Sequence, residues 1–257
     1  MIARILSLCA LAGLGAAAQD VARPRPLQPG VEFQSADVKA LQSDHFANPG
    51  MLWVAKGERL WRERNNIGGP GCDSCHGDAS RSMKGVAAGY PKFDASLGRV
   101  VDLGERIDAC NRVQQRGLGL PPESEARLAL TAYVAHQSRG MPIAVSVTGP
   151  AASTFQRGAA LYHQRIGQMN LACAHCHDAS WGKTLLNETV SQGHPDGWPA
   201  YRLEWQTLGS LQRRIRACFY GVRAAQPPFD SADLIALELY LAERAKGLPL
   251  SAPGVRR

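Results

Sequence analysis

Four of the seven cysteines in this sequence fall in two copies of one pentapeptide, Cys72-Asp73-Ser74-Cys75-His76 and Cys173-Ala174-His175-Cys176-His177. Two thiols one helical turn apart, followed at once by an imidazole, suit one chemistry. The thiols add to the two vinyl groups of a haem and the His ligates its iron, which is the c-type attachment motif. A zinc ribbon sets its Cys-x-x-Cys pairs about 15–20 residues apart, whereas these begin at positions 72 and 173. A thioredoxin-like redox motif wants a βαβ setting and has no use for the following His. Two covalently bound c-type haems are therefore expected. Cys72, Cys75, Cys173 and Cys176 would attach them, and His76 and His177 would bind iron.

The second axial ligand sets what each haem does. Small c-type domains commonly use a Met late in the domain, and Met141 stands in that place, but its counterpart in the second half is Leu248. Cys110 follows His76 by 34 residues and Cys218 follows His177 by 41. Thiolate ligation by both is the favoured reading, because each cysteine recurs relative to its own motif. The alternative is a Cys110–Cys218 disulfide, which suits an oxidising compartment and requires the two equivalent positions to meet. His136, His163 and His194 have no repeat partner and are expected to be surface or structural residues, and His175 is expected to be exposed. A thiolate lowers the potential of a haem, which makes a poor middle-range electron shuttle. It also places a nucleophilic sulfur at the iron, its pKa depressed by the metal and by nearby cations.

Both cysteines have an Arg one helical turn earlier, Arg106 and Arg214, on the same face. Their surroundings differ. Between Leu103 and Arg116, Glu105 and Asp108 offset three arginines, while from Leu211 to Arg223 there are Arg213, Arg214, Arg216 and Arg223 with no acid. An anionic substrate would be steered to the second site, with Arg214 the expected contact. Arg213 and Arg216 read equally well as a solvated basic helix face.

The elements that hold these residues repeat. Gly57, Leu60, Trp61 and Arg64 recur as Gly158, Leu161, Tyr162 and Arg165, at the same offset as the two cysteine motifs. Ile107, Ala109 and Cys110 recur as Ile215, Ala217 and Cys218; Ser124, Tyr133, Gly140 and Pro142 recur as Ser231, Tyr240, Gly247 and Pro249. The chain reads as a duplicated, mainly α domain with about seven extra residues between motif and cysteine in the second copy. Residues 48–147 form the first copy and residues 148–257 the second, with a Pro-bearing extension over 19–47 expected to wrap on the surface. Val54–Arg64 is predicted helical, as are Ser124–Ser138 and Ser231–Arg244, each opening on a Ser N-cap and stopping before Gly140 or Gly247. Such short, loop-rich domains are poor in core and need something large at the centre.

Hydrophobic residues make up 45% of the 257 and charged residues 20%, the balance of a globular protein. Residues 1–18 read as a secretory signal peptide: Arg4, an apolar Ile5–Leu14 and the small-residue run Ala16-Ala17-Ala18. The mature protein is then expected to be exported to an oxidising compartment, with no membrane span. Export and the absence of a basic run interleaved with aromatics argue against nucleic acid, despite a net charge of +7.

Several segments resemble the SoxA subunits of SoxAX cytochrome complexes, across almost the whole mature chain. They are Asn48-Pro49-Gly50-Met51-Leu52-Trp53, Gly57-Glu58-Arg59-Leu60-Trp61, Cys72–Asp78, Ser82-Met83-Lys84-Gly85 and Arg214-Ile215-Arg216-Ala217-Cys218. With both motifs intact, the chain looks like the dihaem type, two tandem class I cytochrome c-like domains. The resemblance implies an L-cysteine S-thiosulfotransferase of periplasmic sulfur oxidation, which joins thiosulfate oxidatively to a cysteine of the carrier SoxYZ. It further implies that Cys218, as a persulfide, is the catalytic ligand and that Arg214 holds thiosulfate. The second haem would be catalytic and the first structural or a vestigial relay, with a monohaem SoxX-like cytochrome completing a heterodimer. The charge argument points to the same half. Rival readings are a thiosulfate dehydrogenase, which normally has an axial Met at its second haem, and a plain dihaem electron carrier, which needs no Arg cluster. A dihaem peroxidase needs an open iron, which two distal thiolates do not provide.

Overall fold

The computed structural model describes residue 24 and residues 26–64 and 68–257; the expected signal peptide, residues 1–18, lies outside them. After a 3-10 turn at Gly30–Phe33 comes α1 (Ala36–Ser43). Next are α2 (Met51–Arg62), α3 (Asp73–His76), α4 (Ala79–Ser82), β1 (Lys92–Asp94), β2 (Arg99–Val101), α5 (Leu103–Val113) and α6 (Glu125–His136). The series then resumes with α7 (Ala152–His163), α8 (Cys173–His177), β3 (Thr184–Leu185), β4 (Glu188–Thr189), β5 (Ala200–Arg202), β6 (Thr207–Gly209), α9 (Leu211–Gly221) and α10 (Ala232–Arg244). A final strand, β7, covers Gly254–Arg256. The fold is mainly α, and the strands are confined to two- and three-stranded patches.

The repeated glycines have a packing reason. A β-carbon on Gly57 would overlap the Ala129 carbonyl of α6, and one on Gly158 would overlap the Ala236 carbonyl of α10. Only glycine lets these helices cross backbone to backbone. Beside each crossing an aromatic pair fills the gap: Trp61 with Tyr133, ring centroids 5.9 Å apart, and Tyr162 with Tyr240 at 5.0 Å. Ser124 and Ser231 cap α6 and α10 by accepting from the backbone N–H groups of Arg127 and Leu234. The cysteine-bearing helices are capped as well. Asp102 and Glu105 form a capping box on α5, and Ser210 accepts from Arg213 N–H on α9.

The two halves meet through their own repeated segments. Residues 140–143 pair with 247–250: Ile143 N–H donates to Leu248 O at 2.9 Å, and Leu250 N–H to Met141 O at 2.9 Å. Met141 therefore packs at this junction with Ile143, Leu239 and Leu248. Nearby, Arg127 of α6 donates two bonds of 2.7 Å to the Asp230 carboxylate. Gln212 of α9 donates to Asp102 at 2.8 Å, which ties the starts of α9 and α5 together.

The extension is fastened more firmly than a surface wrap. Phe33, Val38 and Gln42 are buried; Gly30 N–H donates to Asp196 at 2.9 Å, and Val255 N–H to the Gln42 side chain at 3.0 Å. β7 lies parallel to β5, with Arg256 opposite Arg202. Among the described residues no helix is long and apolar enough to cross a membrane.

Candidate functional site

α8 carries the second motif. His175 Nδ1 accepts from Ala172 N–H at 2.8 Å, so this residue, expected to be exposed, is half-buried and closes the start of the helix. The far end is held by Asp178, which accepts from Tyr162 Oη at 2.9 Å and from the fully buried Arg244 at 2.7 Å. His177 Nδ1 lies 2.8 Å from the Ser191 carbonyl oxygen. Donation there directs Nε2 away from the backbone, as a metal ligand requires. Gly193, at φ +75°, closes over the same ring: a β-carbon there would come within 3.0 Å of it.

Beyond the motif opens a cavity of about 1460 Å³, counting the part continuous with solvent. Cys173, Cys176, His177, Arg214 and Cys218 all line it, among apolar walls that include Ile215, Phe219 and Leu237. Burial works to raise the Cys218 thiol, but Arg214, His177 and Arg202 together bring it down to about 7. Cys173 goes the other way, pushed up to about 12 by burial and then by the Cys218 charge. Two thiols, an oriented imidazole and a further soft sulfur around an apolar cavity fit a covalently attached haem.

The first motif is more open. Cys75 and His76 are exposed and Cys72 is half-buried. Trp61 Nε1 donates to Gly77 O at 3.0 Å, and its ring lies 5.7 Å from that of His76. Gln115 donates to Cys72 Sγ at 3.5 Å. Burial and then the Cys110 charge push the Cys72 thiol up to about 11, so Cys110 belongs to this motif's surroundings. All six described cysteines are free. The Cys110–Cys218 disulfide is thus not formed, because each cysteine sits beside its own motif.

The two helical arginines part company here. Arg106 Nε lies 3.4 Å from Asp94 Oδ2. Arg214 has no carboxylate partner among the described residues. Arg213 stacks on Trp205 at 4.2 Å and Arg216 on Phe229 at 4.3 Å, so neither is a purely solvated charge. His194 is buried against Gln192 at 3.0 Å, and His163 Nε2 lies 3.4 Å from Tyr240 Oη. Ser191 and Gly193 were missed by the sequence reading because the second copy's extra residues lie in this stretch, with no repeat partner to flag them. Arg202, buried and lining the cavity, was missed too. Aligning the two strand pairs would have exposed it.

The SoxA/TsdA cytochrome c domain family matches residues 56–143. The L-cysteine S-thiosulfotransferase subunit SoxA of Pseudaminobacter salicylatoxidans is 40% identical over 229 residues, which are 88% of this chain and 79% of that one. The chain belongs to the SoxA family. SoxA of Rhodovulum sulfidophilum is 36% identical, over 90% of this chain and 80% of its own. The crystal structure of SoxXA from P. pantotrophus superposes with a TM-score of 0.86 at 31% identity, covering 89% of this chain and 86% of that one. As a cytochrome c domain of the SoxA family, the chain carries covalent c-type haem.

Proposed function

We propose that this chain is a dihaem L-cysteine S-thiosulfotransferase subunit that conjugates thiosulfate to a cysteine of a SoxYZ-like carrier. In the overall reaction the carrier thiol loses its proton and an S–S bond forms to the outer sulfur of thiosulfate. The products are a cysteine S-thiosulfonate, one proton and two electrons. The observation that carries this reading is Arg214, without a carboxylate partner among the described residues, beside Cys218 in an apolar cavity, against Arg106 beside Cys110, which pairs with Asp94. A guanidinium with no internal carboxylate is ready for an oxyanion.

In this reading Cys72, Cys75, Cys173 and Cys176 would attach two haems, and His76 with Cys110 and His177 with Cys218 would hold their irons. Haem, when bound, supplies one-electron acceptors. Arg214 holds and orients the thiosulfate dianion, and Cys218 presents a nucleophilic sulfur, carried as a persulfide. The apolar walls keep water from the new S–S bond. Residues 48–147 and 148–257 each form one haem domain, the first structural or a relay. A monohaem SoxX-like cytochrome is the partner, in the periplasm after removal of residues 1–18.

The test is Cys218→Met in the holo heterodimer. Conjugation of thiosulfate to the carrier cysteine, followed by mass, should be abolished while both haems stay attached and reducible. Conjugation at the wild-type rate would refute the assignment of Cys218 as the catalytic sulfur.

A further inference from the structure

The two halves present the same contact between strand and helix with opposite electrostatics. β1–β2 and β5–β6 are equivalent hairpins: Asp94 lies opposite Arg99 in one, and Arg202 opposite Thr207 in the other. Asp94 and Arg202 therefore occupy one structural position, the last residue of the first strand, as Arg106 and Arg214 occupy one position on the following helix. In the first half these two positions form an ion pair, Asp94 with Arg106 at 3.4 Å. In the second half the acid is replaced by Arg202, and two guanidinium groups line one cavity with Cys218. Arg202 has carboxylate partners of its own, but two cationic side chains on one cavity wall still favour an anion there.

Arg202 is also held for such a role. It is 4% exposed, and its Nη2 is anchored by Glu204 at 2.7 Å and Glu188 at 3.4 Å. Its Nε is buried with no hydrogen-bond partner among the described residues. A buried donor left unmatched costs about 1–3 kcal/mol, and the neighbouring cavity is the space from which a partner can come. Trp205 packs 5.1 Å from the same guanidinium and fixes its plane.

We propose that Arg202 is a second oxyanion-holding residue of the candidate site, acting with Arg214 on an anion bound beside Cys218. The inference rests on the thiosulfotransferase reading. The shared chemistry is that of a sulfonate or a carboxylate, from thiosulfate itself or from a haem propionate.

The experiment compares Arg202→Gln, Arg202→Lys and Arg214→Gln in the holo heterodimer, each checked for two haems by mass and absorption. Three quantities are read: KM for thiosulfate, thiosulfate binding followed through the low-spin haem spectrum without carrier present, and the midpoint potential of the second haem. If the anion is substrate, Arg202→Gln raises both KM and the spectroscopic Kd about tenfold or more, Lys recovers part of the loss, and the potential holds. If it is a propionate, the potential moves and thiosulfate affinity does not. Arg202 is overturned if neither changes while Arg214→Gln weakens binding. A wild-type complex that conjugates no thiosulfate sinks the underlying reading instead, a result the binding titration separates from the first. Should Gln at 202 fail to fold, the Lys variant alone decides through the same readouts.

Discussion

His177 Nδ1 stands 2.8 Å from the carbonyl oxygen of Ser191, and Gly193 closes over the same imidazole from two residues further on. One short stretch after the second motif therefore sets both the tautomer and the tilt of the expected iron ligand. Position 193 has a positive φ and no room for a side chain. Gly193→Ala should cost about 1–2 kcal/mol for the left-handed backbone alone, before the contact with the ring. The second haem should then be incorporated poorly or show an altered low-spin spectrum, with the first intact. Haem per chain and absorption of the purified variant check this, and an unchanged second haem would show that Gly193 does not hold the ring.

The helix crossings give a stability prediction. Gly57→Ala and Gly158→Ala each force apart a pair of helices, and overpacking of this kind costs about 1–3 kcal/mol or more. Denaturant midpoints should fall for both variants, and Gly89→Ala, where an added β-carbon meets nothing within 4 Å, is the control.

Arg127 bridges the halves through Asp230 at 2.7 Å, and it also lies 3.7 Å from Asp102. Removing one partner of a buried pair strands the other charge, so Arg127→Met should destabilise by about 3–5 kcal/mol. The double variant Arg127→Met/Asp230→Leu should recover part of that. No recovery in a double-mutant cycle would mean that the pair is not the source of the loss.

Glu238 predicts a pH dependence. It is buried in α10, and burial first, then the Asp102 and Glu105 charges, raise its pKa well above the ordinary value of 4.5; its carboxyl shares a hydrogen bond with Asp102. Above pH 4.5 the unfolded chain gives up this proton while the folded protein keeps it. Stability from this group is therefore complete below that pH and is lost as pH rises toward the folded pKa, by at most about 1.4 kcal/mol per unit. Urea midpoints measured between pH 5 and pH 8 should fall more steeply for the wild type than for Glu238→Gln. Parallel profiles would exclude the buried proton.

The intact mass of the exported protein checks the expected signal peptide, which lies outside the described residues, together with the haem count. It should correspond to cleavage near Ala18 with two covalent haems, and peptide mapping should find one extra sulfur on Cys218. A single haem would remove the dihaem reading.

The amino-acid sequence by itself determined the haem chemistry, the repeat and the charge contrast between the two halves. All three are written in short-range spacing: Cys-x-x-Cys-His on one helical turn, Arg214 one turn before Cys218, and serine caps at helix starts. The recurring Gly57 and Gly158 were legible as a repeat, though not as helix crossings. What needed the tertiary structure was every partnership made over long distance. Asp94 pairs with Arg106, whereas Arg202 and Arg214 line one cavity, because a hairpin brings strand end and helix together in each half. Ser191 and Gly193 gain their role only when the chain folds back onto His177. The side chain of Met141, a plausible ligand by spacing, packs against the apolar cluster shared by the two halves. Local periodicity encodes which face of an element is reactive. Which charges are cancelled and which stay available is decided by packing between segments about a hundred residues apart, which spacing along the chain does not record.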